Sequence, residues 1–226
     1  MKKHIFYSEL AYLIGLVVLA FGTALMERAD FGLSMVVAPA YILHLKISQF
    51  LPFFSFGMAE YTLQAVLLLL MILLLRRFKL TYFFSFVTAV LYGFILDGTL
   101  LLIGLIPPFG LAWRIVFYVA GLVFCSIGVS LLFHTYLSPE AYELFVKELS
   151  SKYGIEIHKF KTGYDIVSCL VSILLSFLFF GLWHFEGVKL GTVLCALVNG
   201  FVISLCTKFF ERHWEFRDRF PLRRYF

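Results

Sequence analysis

Residues Tyr12–Met26 read YLIGLVVLAFGTALM, and residues Tyr118–Leu132 read YVAGLVFCSIGVSLL. At an offset of 106 they align Gly15 with Gly121 and Gly22 with Gly128. The correspondence continues in order along the chain. LSM at Leu33 meets LSP at Leu137, Tyr61 falls opposite Tyr164, and VLYGFILD falls opposite LVNGFVIS, pairing Gly93 with Gly200. The offset drifts only between 103 and 107. A single match between leucine-rich segments is uninformative, but an ordered series of glycines with the same elements between them reads as an internal repeat. The two copies span about 6–105 and 113–209.

Of the 226 residues 62% are hydrophobic and only 15% charged, whereas soluble domains carry about a quarter charged residues. The apolar runs are continuous, unlike the alternating strands of a membrane barrel, so the class is a polytopic helical membrane protein. A spanning helix needs about 20 mostly apolar residues. Six segments meet that requirement or come close: 6–26, 58–75, 80–105, 113–133, 164–183 and 188–207. Three fall in each copy, and an odd number places the second copy upside down relative to the first. The expectation is one transmembrane domain of two inverted-topology repeats, followed by a basic tail at 210–226. The first apolar run ends in charges without a small-x-small cleavage site, so it reads as a retained span.

If the N-terminus is cytoplasmic and six spans alternate, fifteen of the nineteen lysines and arginines fall on the cytoplasmic side. Only Arg28, Lys46, Arg114 and Lys189 fall outside. This is the positive-inside pattern, and it accounts for the net charge of +5 without a nucleic-acid partner. Both termini are expected to be cytoplasmic. The tail ERHWEFRDRFPLRRYF interleaves arginine with aromatics and suits an arm lying on anionic lipid. The four cysteines lie inside apolar segments, form no C-x-x-C and sit at no metal-ligand spacing with histidine.

Each copy carries an interruption after its first span. In the first it is Phe31–Phe56, apolar throughout, which fits a re-entrant segment buried in protein. In the second it is Ser138–Gly163. There Ser138 reads as an N-cap, Pro139 as the first helical position and Glu140 as a first-turn acid. Ala141, Leu144, Phe145 and Leu149 fall on one face and Gly154 ends the helix, which describes a helix on the membrane surface.

Gly15 and Gly22, and likewise Gly121 and Gly128, are seven apart and share a helix face. Such rows let membrane helices approach closely, and Gly93 and Gly200 are further packing candidates. Ionisable groups at membrane depth are costly and often functional. Asp97, far inside the third span, is the deepest, and its repeat mate is Ser204. Glu60 and Gln64 share a face four residues apart. Tyr164 and Asp165 open the fifth span, where an acid suits a helix N-terminus. Glu27, Arg28 and Asp30 read as a charged turn ending the first span, or Arg28 as a group facing the repeat interface toward an anion. Asn199 is a buried amide that bonds another helix or lines a pathway. Arg28, Ser34, Glu60, Gln64, Asp97 and Asn199 are therefore the candidate ligand residues. No nucleophilic triad, P-loop, dinucleotide fingerprint or metalloprotease motif occurs, so neither an enzyme nor a cofactor or metal is expected.

The stretch FGTALMERADFGLSM, followed by VLYGFILD, resembles the YczE/YitT-like family of bacterial integral membrane proteins. Gly22, Leu25, Arg28, Ala29, Gly32 and Ser34 match the family pattern after the first span. Gly93 and Asp97 match its third-span motif, and LGTVLCALVNGF looks like its last span. Met35 stands where the family usually has proline, while Leu137-Ser138-Pro139 keeps it. The resemblance implies this architecture and a bacterial cytoplasmic-membrane location, and no substrate. The expected function is a small-molecule transporter with its site near mid-membrane, taking a small polar or anionic ligand. The alternatives are a substrate-binding subunit of a multi-component importer and a membrane scaffold without a ligand.

Overall fold

Apolar runs of 20 to 25 residues become helices about 30 Å or more in length at 1.5 Å per residue, enough to cross a bilayer. The structure is a computed structural model that describes residues 4–107, 110–181 and 187–220. The described residues form eight helices: α1 (Ser8–Ala29), α2 (Ala38–Ile47), α3 (Phe56–Leu75), α4 (Leu80–Gly104), α5 (Leu111–Phe133), α6 (Ala141–Tyr153), α7 (Ile157–Phe180) and α8 (Leu190–His213). Six of them (α1, α3, α4, α5, α7 and α8) are long and apolar enough to span a membrane. Outward-facing Leu69, Leu73, Leu101, Leu170, Leu178 and Leu197 make the lipid-contacting surface of a multi-pass membrane protein.

Two short strands, β1 (His4–Tyr7) and β2 (Trp214–Arg217), pair in parallel, so the first and last described segments lie on one face of the bundle, here called the terminal face. The tail beyond β2 folds back onto α1. Ser8 Oγ donates to Asp218 at 2.7 Å, and the Phe220 N–H donates to Glu9 at 2.9 Å. Residues 214–220 thus dock on the protein itself, where the sequence suggests a lipid-bound arm. Residues 221–226 lie outside the described residues.

The bundle is built around α1 and α5, which run antiparallel and cross at the glycines. A methyl group on Gly22 would come within 2.8 Å of the Gly121 carbonyl oxygen, and one on Gly15 within 3.2 Å of that of Gly128. No side chain separates the backbones, as expected for small residues at a membrane helix interface. α4 packs on α1, where Tyr12 Oη meets Thr88 Oγ1 at 2.8 Å. α8 packs on α5, where Ser126 Oγ donates to Asn199 Oδ1 at 2.9 Å.

Two observations correct the sequence reading of the second interruption. First, α6 begins at Ala141 with Glu140 as N-cap, not at Pro139 with Ser138 as cap. The Ser138 and Pro139 carbonyls accept hydrogen bonds from Thr88 and Ser85, which holds this segment against α4 instead of in a helix. Second, α6 is not a surface helix. Ala141, Tyr142, Leu144, Val146 and Leu149 are all buried, and its N-terminal Ala141 N–H donates to Gln64, nine residues into α3. Its other end reaches the terminal face, where Lys152 Nζ meets the Leu74 carbonyl. α6 is a half-helix dipping into the bundle.

α2 does the same from the opposite face. Just before its start, the Met35 carbonyl accepts from Ser168 at the middle of α7 at 2.7 Å. Its last turn lies beside Phe179, whose carbonyl Lys46 contacts at 3.5 Å. α7 begins at Ile157, seven residues earlier than its apolar run. The ion pairs Lys159–Glu156 and Lys161–Asp165 extend the helix into the aqueous boundary.

Candidate functional site

The two ends of the bundle are packed differently. On the opposite face α3 and α4 are in backbone contact. A methyl group on Gly57 would lie 2.1 Å from the Gly93 carbonyl oxygen. Asp97 ties the same joint. It accepts from Ser55 Oγ at 2.5 Å and from the Gly57 N–H at 2.8 Å, while Ser55 Oγ caps α3 by accepting from the Met58 N–H at 3.1 Å. A carboxylate at a helix N-terminus satisfies donors that have no partner within the helix.

α7 and α8 have no comparable joint. Nothing lies within 4 Å of a methyl group built on Gly163 or Gly200. Between the two helices is a cavity of about 180 Å³ lined by Ser34, Lys161, Asp165, Cys195 and Asn199, among others. The turn Ser34–Val36, which leads into α2, closes its inner end. A wider cavity of about 590 Å³ on the terminal side is lined by Lys79, Glu143, Lys147 and Lys161. The two adjoin at Lys161.

The chemistry of the narrow cavity is mixed. Asp165 supplies a carboxylate, 3.6 Å from the Lys161 ammonium. Asn199 Oδ1 is taken by Ser126, which leaves its amide N–H groups as donors. The backbone at Met35 and Val36 forms the turn before α2, whose Val37 and Ala38 N–H groups are taken by the Ser34 carbonyl, so that what favours negative charge there is the positive end of the helix dipole.

The candidate ligand residues therefore divide. Ser34 and Asn199 meet in this cavity. Arg28 does not line it; its guanidinium binds the Ile106 carbonyl in the α4–α5 connection. Asp97 belongs to the α3–α4 joint, so its nearest ties are structural.

Glu60 and Gln64 form a separate buried cluster with Tyr142 of α6 and with Glu140, the N-cap of that helix. Tyr142 Oη donates to Glu60 Oε2 at 2.9 Å. Gln64 Nε2 lies 3.5 Å from Glu60 Oε2 and 3.3 Å from Glu140 Oε2, and Gln64 Oε1 accepts from the Ala141 N–H at 3.0 Å. Sequence reasoning missed Glu140, Tyr142 and Lys161. Glu140 resembles an ordinary first-turn acid, and its partner Gln64 is 76 positions away. The one available signal was that α6 follows the same place in the repeat as an apolar re-entrant segment. Among the described residues, no group of three or more His, Cys, Asp or Glu is arranged to hold a metal.

Residues 6–208 match a family of unknown function, DUF6198, and the chain belongs to that family. No curated protein and no solved structure matches the chain.

Proposed function

We propose that the protein is a small-molecule transporter of the bacterial cytoplasmic membrane, built from two inverted repeats and working by alternating access, with both termini cytoplasmic. The observation that carries this reading is the unequal packing of two equivalent joints. At the offset of 106 that aligns the first-span glycines, FSFG ending at Gly57 matches FKTG ending at Gly163, and at 107 Gly93 matches Gly200. One glycine pair is closed backbone to backbone; its mate is unpacked, with Gly200 lining a polar cavity. Two copies of one design in opposite states make a bundle open to one face and sealed at the other. Exchange of the two states would move the opening across the membrane while the α1–α5 crossing stays fixed.

The half-helices support the same reading. α2 and α6 enter from opposite faces, and each starts at the middle of the bundle against a helix of the other repeat. The cavity volume of about 180 Å³ is below the ~300 Å³ at which drug-sized ligand sites begin, so the cargo is small. A carboxylate and an ammonium at one end and a helix N-terminus at the other suit a polar or zwitterionic molecule. The resemblance to the YczE/YitT-like family agrees with the architecture and names no cargo.

The test is a thermal-shift screen of the purified protein across small polar metabolites, followed by counterflow of any stabilising compound in proteoliposomes. A ligand that shifts the melting temperature and exchanges across the liposome, with both effects lost in Asp165→Asn/Asn199→Ala, is the expected result. Binding without exchange would instead assign the capture subunit of a multi-component importer. No ligand in the screen, with Asp165→Asn/Asn199→Ala silent in cells, would leave the scaffold role.

A further inference from the structure

The cavity between α7 and α8 leaves unused the most deeply buried acids among the described residues. Glu60 is 0% exposed and Glu140 is 5% exposed. One belongs to α3 and the other to the N-terminus of α6, so the pair joins the two halves beside the closed α3–α4 joint. Gln64 stands between them with its amide shared by both, and Tyr142 donates to Glu60. These donors all serve the Oε2 atoms. The Oε1 atom of Glu60 and the Oε1 atom of Glu140 are buried with no hydrogen-bond donor among the described residues.

Among the described residues, none of the principal charges acting on the pair is a cation. From α1, α4 and α5 the groups within electrostatic reach are Tyr12, Tyr92 and Cys125. From α6 they are Tyr142 and Glu143, and from α7 Tyr164. All are neutral or acidic. Lys161 is directed at Glu143 and at Asp165. A buried carboxylate without a cation or enough donors takes up a proton instead of staying charged, and two such groups sharing one donor titrate as a unit. A proton fits where a metal ion does not. A hard cation needs a shell of about six oxygens, and the Gln64 carbonyl oxygen is already occupied by the Ala141 N–H.

We propose that Glu60 and Glu140 are the proton-carrying pair of this transporter: protonated while the α3–α6 contact is dry and sealed, and deprotonated when that contact opens to water, so that each cycle exchanges a proton against the cargo. The chemistry is proton transfer alone, a carboxylate taking a proton from hydronium and returning it to water. The proposal rests on the transporter reading above and gives it a coupling ion. The asymmetry of the repeats agrees with it. Neither at the 106 offset (Ile166 and Leu170) nor with Tyr61 opposite Tyr164 (Gly163 and Val167) does the second copy carry an equivalent of Glu60 and Gln64.

The experiment is infrared difference spectroscopy on the purified full chain in nanodiscs across a pH titration, with Glu60→Gln and Glu140→Gln as isosteric variants. The expected result is a protonated-carboxyl band at neutral pH in the wild type, reduced by about half or more in either variant and insensitive to sodium. Thermal stability should fall as the pH rises through the titration of that band. The sign follows because a group that keeps its proton in the fold and not in the unfolded chain stabilises at low pH. A band absent at neutral pH, or displaced by sodium, overturns the proposal whatever the protein transports. If the band is present and sodium-insensitive but counterflow of an identified cargo is the same with and without a pH gradient in wild type and Glu60→Gln, coupling is overturned while transport stands. If no cargo is found, the transporter reading fails separately from the protonation of the pair.

Discussion

Gly57 and Gly93 pack backbone to backbone, so that a methyl group on Gly57 would lie 2.1 Å from the Gly93 carbonyl oxygen and 2.7 Å from Asp97 Oδ2. The first obstacle is backbone, and the second is a carboxylate held in place by Ser55 and the Gly57 N–H. Gly57→Ala is therefore expected to force α3 from α4 and to destabilise by about 1–3 kcal/mol, the usual range for overpacking. Gly200→Ala meets open space. It should be neutral or stabilising by up to about 1 kcal/mol, because alanine is the better helix former. Thermal unfolding of the two variants in one detergent checks the contrast. Gly200→Leu adds a further distinction. It should melt like the wild type, yet lose transport, because the α7–α8 joint can no longer close.

The α1–α5 crossing gives a graded version of this test. A methyl group on Gly22 would meet the Cys125 backbone nitrogen at 2.6 Å, whereas one on Gly15 first meets the Leu132 side chain at 3.1 Å. Side chains move more cheaply than backbone, so Gly22→Ala should cost more than Gly15→Ala, by about 1 kcal/mol or more within the overpacking range. Equal losses would show that the crossing point lies elsewhere.

The crossing was legible in the sequence because spaced glycines in an apolar helix have one main structural use. The six spans were legible for the same reason, as length and hydropathy leave few alternatives. The start of α6 was not. Ser138-Pro139 has the grammar of a helix N-terminus, and only the hydroxyls of Thr88 and Ser85, some fifty positions away, draw that backbone into another structure. Asp97 was visible as a deep acid, but its partners Ser55 and Gly57 lie about forty positions away, so its role as a clamp on α3 was not. The acid pair is the extreme case. Glu60 and Glu140 come from different halves of the chain, and their juxtaposition depends on α6 entering the bundle, which its polar composition argues against.

Asp97 gives a prediction that separates clamp from ligand site. Removing its carboxylate in Asp97→Ala deprives Ser55 and the α3 N-terminus of an acceptor, at a cost of about 0.5–2 kcal/mol by analogy with helix caps. Asp97→Asn keeps one acceptor oxygen and should lose about half of that. Melting temperatures in the order wild type, Asn, Ala are expected. Unchanged melting in both variants would remove the clamp.

Glu148 sits on the terminal face, where Lys79 Nζ approaches at 2.7 Å and Arg77 at 2.9 Å. Burial opposes its ionisation, but hydrogen bonding and charge from Lys79, then Tyr82 and Arg77, outweigh it and hold the carboxyl below the usual range. A depressed carboxyl contributes stability that is complete above its unfolded value and is lost as the pH falls through its folded one. Both cations are substantially exposed, so the contribution is about 0.5–1 kcal/mol and shrinks with salt. Glu148→Gln should flatten the acid side of the stability profile at low ionic strength. Near neutral pH in high salt it should have little effect.

The opening itself can be located by labelling. In a variant with the four native cysteines replaced, one cysteine is returned at Ala196, which lines the α7–α8 cavity, or at Leu96, which is fully buried in α4. With the cavity open toward the terminal face, Ala196→Cys should react with a membrane-impermeant maleimide in inside-out vesicles and not in intact cells. Leu96→Cys should stay unreactive from both sides in the resting protein. Cargo, once identified, should slow Ala196→Cys, since closing α7 on α8 removes water from the cavity. Gly57→Ala, by prising α3 from α4, should shift the population the other way and make Leu96→Cys reactive in intact cells. Reaction of Ala196→Cys from the outside alone would invert the assigned topology. Reaction from neither side would mean that the cavity is closed in the membrane and that the two joints do not hold opposite states.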